Sequence, residues 1–263
     1  MRKDLSNDHT ANHVFSIHED GDITILRLHP HEGFLGSDLD QAERLWHVLK
    51  NVQAMNRPVL AILVHPEFMS SRSLEHFNRQ ARTRMSDGSD FTGYHSITDS
   101  STIREEYAFR RFISLVRDME TFVICAFEGE VLLSFIGLAL ACDYRLVSHN
   151  TVFIGRCLDM DMPPCGASPW FLARFLGQGK AAQLLYSDSA ITADQALEMG
   201  LVNAVCTSED LETATLAQAR RIATVPRGKL ISSKRMFNST HLELHQYFDR
   251  EGSAFRRFLS MKH

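Results

Sequence analysis

Basic residues are not in excess: 28 lysines and arginines stand against 32 aspartates and glutamates, a formal net charge of −4. Such a balance offers no positive field for a polyanion, and no polybasic cluster marks a lipid surface, so neither nucleic acid nor membrane is an expected partner. No uninterrupted apolar run approaches the ~20 residues of a bilayer-crossing helix. The opening MRKDLSNDHT is polar rather than the apolar core of a secretory leader, and a cytoplasmic protein is expected. The five cysteines, Cys125, Cys142, Cys157, Cys165 and Cys206, form no CxxC pair and are odd in number, which argues against a disulfide framework. Cys125, Cys142 and Cys206 have apolar neighbours and read as small buried hydrophobes in a reducing compartment. Thirteen histidines are scattered without an HExxH pattern, so no metal site is expected.

What is present is ordinary globular material, 44% hydrophobic and 23% charged over 263 residues. Val14 to Ile17 and Ile23 to Leu28 flank Glu19-Asp20-Gly21-Asp22, a hairpin pattern. Leu39, Ala42, Leu45, Trp46, Leu49 and Val52 recur at helical spacing until Asn56-Arg57-Pro58 stops them, and Val59 to Val64 is a short buried strand. Met85 to Thr102 is one long polar stretch, followed by an amphipathic helix from Glu105 to Val116. The chain is organised around Phe122 to Cys165. Here an apolar strand (Phe122 to Phe127), a turn at Glu128-Gly129, an apolar helix from about Ser134 to Cys142 and a second strand (Tyr144 to Val147) follow one another. A helix with almost no polar face must be buried, and its first backbone amides lack helical partners, which makes Ser134 a candidate donor to an oxyanion.

FEGEVLLSFIGLALACDYRLVSHNTVFIG, followed by GQGKAAQLLYSDSAITADQALEMGLVNAV, resembles the crotonase superfamily, the enoyl-CoA hydratase/isomerase relatives. Gly129 to Asp143 fits that family's helix-entry frame without a gap, and Ala193, Ala196, Gly200-Leu201-Val202 and Val205 match its later block. The resemblance implies an α/β fold: a crotonase-like spiral of repeated β-β-α units over residues 1–205, with a C-terminal helical trimerisation region over 206–263. It also implies an acyl-CoA or acyl-carrier thioester as partner, coenzyme A only as part of the substrate, and a homotrimer or hexamer.

The same resemblance places the chemistry. Family members stabilise a thioester enolate with two backbone amides, which fall here on Arg72 and Ser134. Ser70, Ser73, Leu74 and Leu133 flank those positions as substrate-binding candidates. Only proline removes an amide, so both donors survive the substitutions, although the Arg72 side chain is equally readable as a pocket filler, an anion partner or a surface residue. Hydratases of the family share protons between two glutamates and one water. Here those positions read Gly137 and Cys157, and neither is a carboxylate. Glu128 and Glu130 precede the helix, and Asp159 and Asp161 follow Cys157. Cys157 and Asp161 are therefore the candidate catalytic side chains, with Cys165, His95 and Tyr94 as weaker alternatives. Two functions stay open: an enzyme whose reaction needs fewer acid/base groups than hydration, and a binding or structural protein without turnover.

Overall fold

The computed structural model describes residues 14–29, 39–73, 75, 101–155, 163–187, 190–239 and 241–261. Its backbone is a six-stranded sheet in the order β1 (Phe15–Asp20), β2 (Ile23–Leu28), β3 (Val59–Val64), β4 (Phe122–Phe127), β6 (Tyr144–Ser148), β9 (Ala204–Cys206). β1 and β2 pair antiparallel through a two-residue loop in which Gly21 takes φ +59°, a conformation that costs glycine little. Every later pairing in this sheet is parallel. A second, three-stranded sheet joins β5 (Glu130–Leu132), β7 (Val152–Ile154) and β8 (Ile191–Thr192).

Alternation along β3 shows why the sheet needs covering on both faces. Leu60 and Ile62 enter one apolar cluster, whereas Val59 and Ala61 enter the other, because successive strand residues point to opposite sides. The first face carries α1 (Leu39–Ala54) and α2 (Ser101–Asp118). Helix α3 (Gly137–Leu140), α4 (Ser168–Leu176) and α5 (Gln178–Tyr186) follow in the chain, then α6 (Ala193–Glu198), which opens with a full Thr192/Gln195 capping box. The second face is closed by α7 (Leu211–Ala223), whose Leu211 and Ala219 pack with Ile23, Ile25, Ile124 and Leu146. Helices α8 (Arg227–Phe237) and α9 (His241–Met261) complete the chain. The α/β class is as expected from the sequence, and the main sheet is largely parallel. Among the described residues, no helix is long and apolar enough to cross a membrane.

One buried ion pair ties α8 to the sheet. Lys234, 5% exposed, donates to Asp143 Oδ2 at 2.7 Å, to the Thr121 carbonyl at 2.8 Å and to the Val116 carbonyl at 3.2 Å. The same Asp143 oxygen accepts from the Val123 amide at 2.7 Å. The ammonium thus has an acceptor for each proton, the condition under which a buried charge is tolerated.

Candidate functional site

Beyond β3 the chain turns through His65 to Ser73. The Glu67 carbonyl anchors this turn: it accepts from Ser70 Oγ at 2.9 Å and from the Ser73 hydroxyl, while the Ser73 amide donates back to Ser70 Oγ at 3.3 Å. Phe68 and Met69 are buried beneath it. Two further bonds fasten the turn to β5. The Leu132 amide donates to the Met69 carbonyl at 2.9 Å, and the Ser71 amide donates to Glu130 Oε1 at 2.6 Å. These bonds tie the segment that carries Arg72 to the strand that leads into Ser134. The Arg72 guanidinium itself turns outward, 78% exposed, onto Glu67 Oε1 at 2.6 Å, an arrangement worth little in water.

The helix expected from Ser134 to Cys142 is a 3-10 turn (Leu133–Phe135) followed by the single α-turn of α3. Long-range hydrogen bonds replace the helical ones. The Gly137 amide donates to Ser168 Oγ at 3.0 Å, and the Ser134 carbonyl accepts from the Cys165 amide at 3.1 Å. So short a helix has little macrodipole, and whatever anion affinity exists here is that of individual amides in the first turn. Leu133 and Ser134 are fully buried, and Ser134 Oγ has no hydrogen-bond partner among the described residues. Phe135 stacks on Phe109 of α2 with ring centroids 5.6 Å apart.

The segment that supplies those partners, residues 163–168, lies directly on α3. An ideal Cβ at Gly137 would stand 1.7 Å from the Gly166 carbonyl oxygen and 3.2 Å from the Ser168 nitrogen. No side chain fits at position 137 while this segment is seated. Gly166 (φ +62°) and Ala167 (φ +54°) are both left-handed, a conformation that costs a non-glycine residue about 1 kcal/mol.

A profile of the family described as Enoyl-CoA hydratase/isomerase matches residues 84–263. The chain belongs to this family. Among curated relatives, the enoyl-CoA hydratase/isomerase chain is 33% identical over 123 residues to the crotonyl-CoA hydratase of Syntrophomonas wolfei, covering 47% of itself and 44% of that protein. It is 32% identical over 112 residues to the trans-2-decenoyl-[acyl-carrier-protein] isomerase of Streptococcus mutans, covering 43% of itself and 41% of that protein. The matches span less than half the length of these relatives. The solved enoyl-CoA hydratase of Bacillus halodurans shares the fold with a TM-score of 0.76 at 15% identity, over 93% of this chain and 94% of that one.

For this enoyl-CoA hydratase/isomerase chain, Ser70, Arg72 and Ser73 lie on the turn that is fastened to β5, and Leu133, Ser134 and Gly137 follow β5 in the chain. Leu74, Cys157, Asp159, Asp161, Tyr94 and His95 lie outside the described residues. Cys165, on the segment that covers α3, is fully buried. Among the described residues, no three or more histidine, cysteine, aspartate or glutamate side chains are grouped to hold a metal. Three residues that shape these segments were not singled out from the sequence: Glu130 as an acceptor for the Ser71 amide, Ser168 as a partner of Gly137, and Glu251. Both oxygens of Glu251 accept from the Ala167 amide, at 3.1 and 3.3 Å. Burial pushes its carboxyl up to about 8, a rise that the Ala167 hydrogen bond opposes and the neighbouring Glu106 adds to.

Proposed function

We propose that this family member binds an acyl thioester, carried on coenzyme A or on a carrier protein, and stabilises its enolate with the amides of Arg72 and Ser134. The observation that carries this reading is the double fastening of the 65–73 turn to β5, Met69 carbonyl to Leu132 amide and Glu130 carboxylate to Ser71 amide. Fixed donors aimed at developing charge are usually the largest single contribution to such catalysis. No cofactor beyond the substrate's own coenzyme A is invoked, and a homotrimer or hexamer packed through residues 206–263 is the expected assembly.

Hydration is the less favoured reaction. It asks for two carboxylates around one water, and Gly137 has neither a carboxylate nor room for one. Isomerisation, decarboxylation and thioester cleavage ask for fewer proton-transfer groups, and Cys157 and Asp161 are the side chains proposed for that work. The coverage of α3 by residues 163–168 favours a second reading, a thioester-binding protein without turnover.

A panel of acyl-CoA thioesters followed by mass spectrometry, with calorimetry in parallel, tests both. The enzyme reading expects weak or no crotonyl-CoA hydration and consumption of another thioester, lost in Cys157→Ala or Asp161→Asn. Affinity without product supports the binding reading. If no thioester binds at all, both are wrong.

A further inference from the structure

The segment over Gly137 is held from behind by the C-terminal helix. Glu251 lies on the buried stripe of α9, one turn or two from Leu244, Phe248 and Phe255, and is 5% exposed. Its carboxyl is the acceptor for the left-handed Ala167 amide. Immediately before Ala167 stands Gly166, whose carbonyl occupies the space a side chain at 137 would need. One residue further back, the Cys165 amide grips the Ser134 carbonyl. A continuous chain of contacts therefore runs from α9 through Ala167 to the proposed oxyanion donor.

Glu106 of α2 stands beside it. Its carboxylate rests against α9, with Oε1 3.5 Å from where a Cβ at Gly252 would sit, and that oxygen has no hydrogen-bond partner among the described residues. Its charge adds to the rise in the Glu251 carboxyl, since neighbouring buried carboxyls cannot both ionise cheaply. Among the described residues, Arg110 on α2 also acts on Glu251; Arg110, Asp249 and Arg256 act on Glu106; and Tyr247 on α9 is acted on by Glu251, by Cys165 of the covering segment and by Tyr186 on α5.

We infer that Glu251 is a positioning residue for the thioester site: in its uncharged form it seats the 163–168 segment on α3, and releasing it lifts that segment from Gly137 and Ser134. The assignment of the site itself rests on the thioester reading above, but the seating does not. Burial raises both carboxyls above the usual carboxylate range. Lifting the segment returns Glu251 to water, where it ionises readily, so the seated state takes up a proton. Seating is therefore whole below the ordinary carboxyl value and is lost as pH rises through about 8.

Alkylation of Cys165, fully buried when the segment is seated, reads the lifting directly and needs no substrate. Rates with iodoacetamide, resolved by peptide mass spectrometry, are compared between the wild type and Glu251→Gln, whose ratio cancels the thiol's own ionisation. Glutamine keeps an acceptor for the Ala167 amide but cannot ionise. The wild-type to Glu251→Gln ratio should climb by about tenfold or more from about pH 6 to about pH 9. Glu251→Asp, too short to reach Ala167, should label faster than either at low pH. A flat ratio, with Glu251→Asp labelling as slowly as the wild type, overturns the inference. Because no thioester is used, that outcome leaves the oxyanion reading untouched, and a negative thioester panel leaves this one untouched.

Discussion

Replacing Gly137 by alanine tests the packing on which the reading of the site depends. The added Cβ would stand 1.7 Å from the Gly166 oxygen and 2.8 Å from the Gly166 carbonyl carbon. Both are backbone atoms, so no side-chain rotation relieves the overlap. Overpacking of this kind costs about 1–3 kcal/mol. Displacing the segment also removes the Gly137 amide to Ser168 bond and the Cys165 amide to Ser134 bond, at about 1 kcal/mol each. Against this stands at most about 1 kcal/mol gained by alanine over glycine in a helix. The net loss is roughly 2–4 kcal/mol, which in a chain of this size lowers Tm by several degrees. Gly179→Ala is the matched control: it lies in α5 with nothing within 4 Å of its built Cβ, and should be neutral or mildly stabilising. Thermal unfolding of the two variants, with hydrogen exchange across residues 163–168, decides the matter. If Gly137→Ala melts with Gly179→Ala and its exchange is unchanged, the segment does not sit on α3 as described.

Three further outcomes follow from other contacts. Glu130→Ala removes the acceptor for the Ser71 amide and should weaken thioester affinity about tenfold by calorimetry while leaving Tm within a few degrees, since a charge-assisted bond contributes roughly 1.5–3 kcal/mol. Lys234→Met strands the Asp143 carboxylate next to the Val123 amide; denaturant unfolding should show a loss of about 3–5 kcal/mol, partly restored by adding Asp143→Asn. Stability of the wild type should fall as pH rises from the ordinary carboxyl range through about 8, because the folded chain holds a proton on Glu251 that the unfolded chain releases. Glu251→Gln should flatten that slope, and an unchanged slope would assign it to other groups.

Much of the fold was legible because strands in a two-sided sheet advertise themselves. Val59–Val64, Phe122–Phe127 and Ile23–Leu28 are apolar runs between turn residues, and they form β3, β4 and β2 with those bounds. The entry to α3 was not legible. With apolar residues all round, its sequence carries no period, and its hydrogen bonds go to Cys165 and Ser168, some 31 residues away. Helix α8 escaped notice because Pro226-Arg227-Gly228 reads as a breaker, and because one of its two buried side chains is Lys234, which interrupts any apolar stripe. Glu106 and Glu251 had a signal that went unused: each is a carboxylate at a core-facing position of an amphipathic helix, Glu106 three residues before Phe109 and Glu251 three after Phe248. Of the proposed site, the two amide positions came from resemblance, whereas the bonds that fasten them could not, since they depend on which loops meet in space.

The far face of the main sheet has a consequence for synthesis. Val59, Ala61, Ile124, Ala126 and Leu146 find their cover only when Leu211 and Ala219 arrive. Until β9 and α7 leave the ribosome, a nascent chain would carry a bare greasy slab with its β6 edge unpaired, the sort of surface that chaperones recognise. Burial of this face thus waits on α7, and shortened transcripts that end before α7 should yield insoluble product.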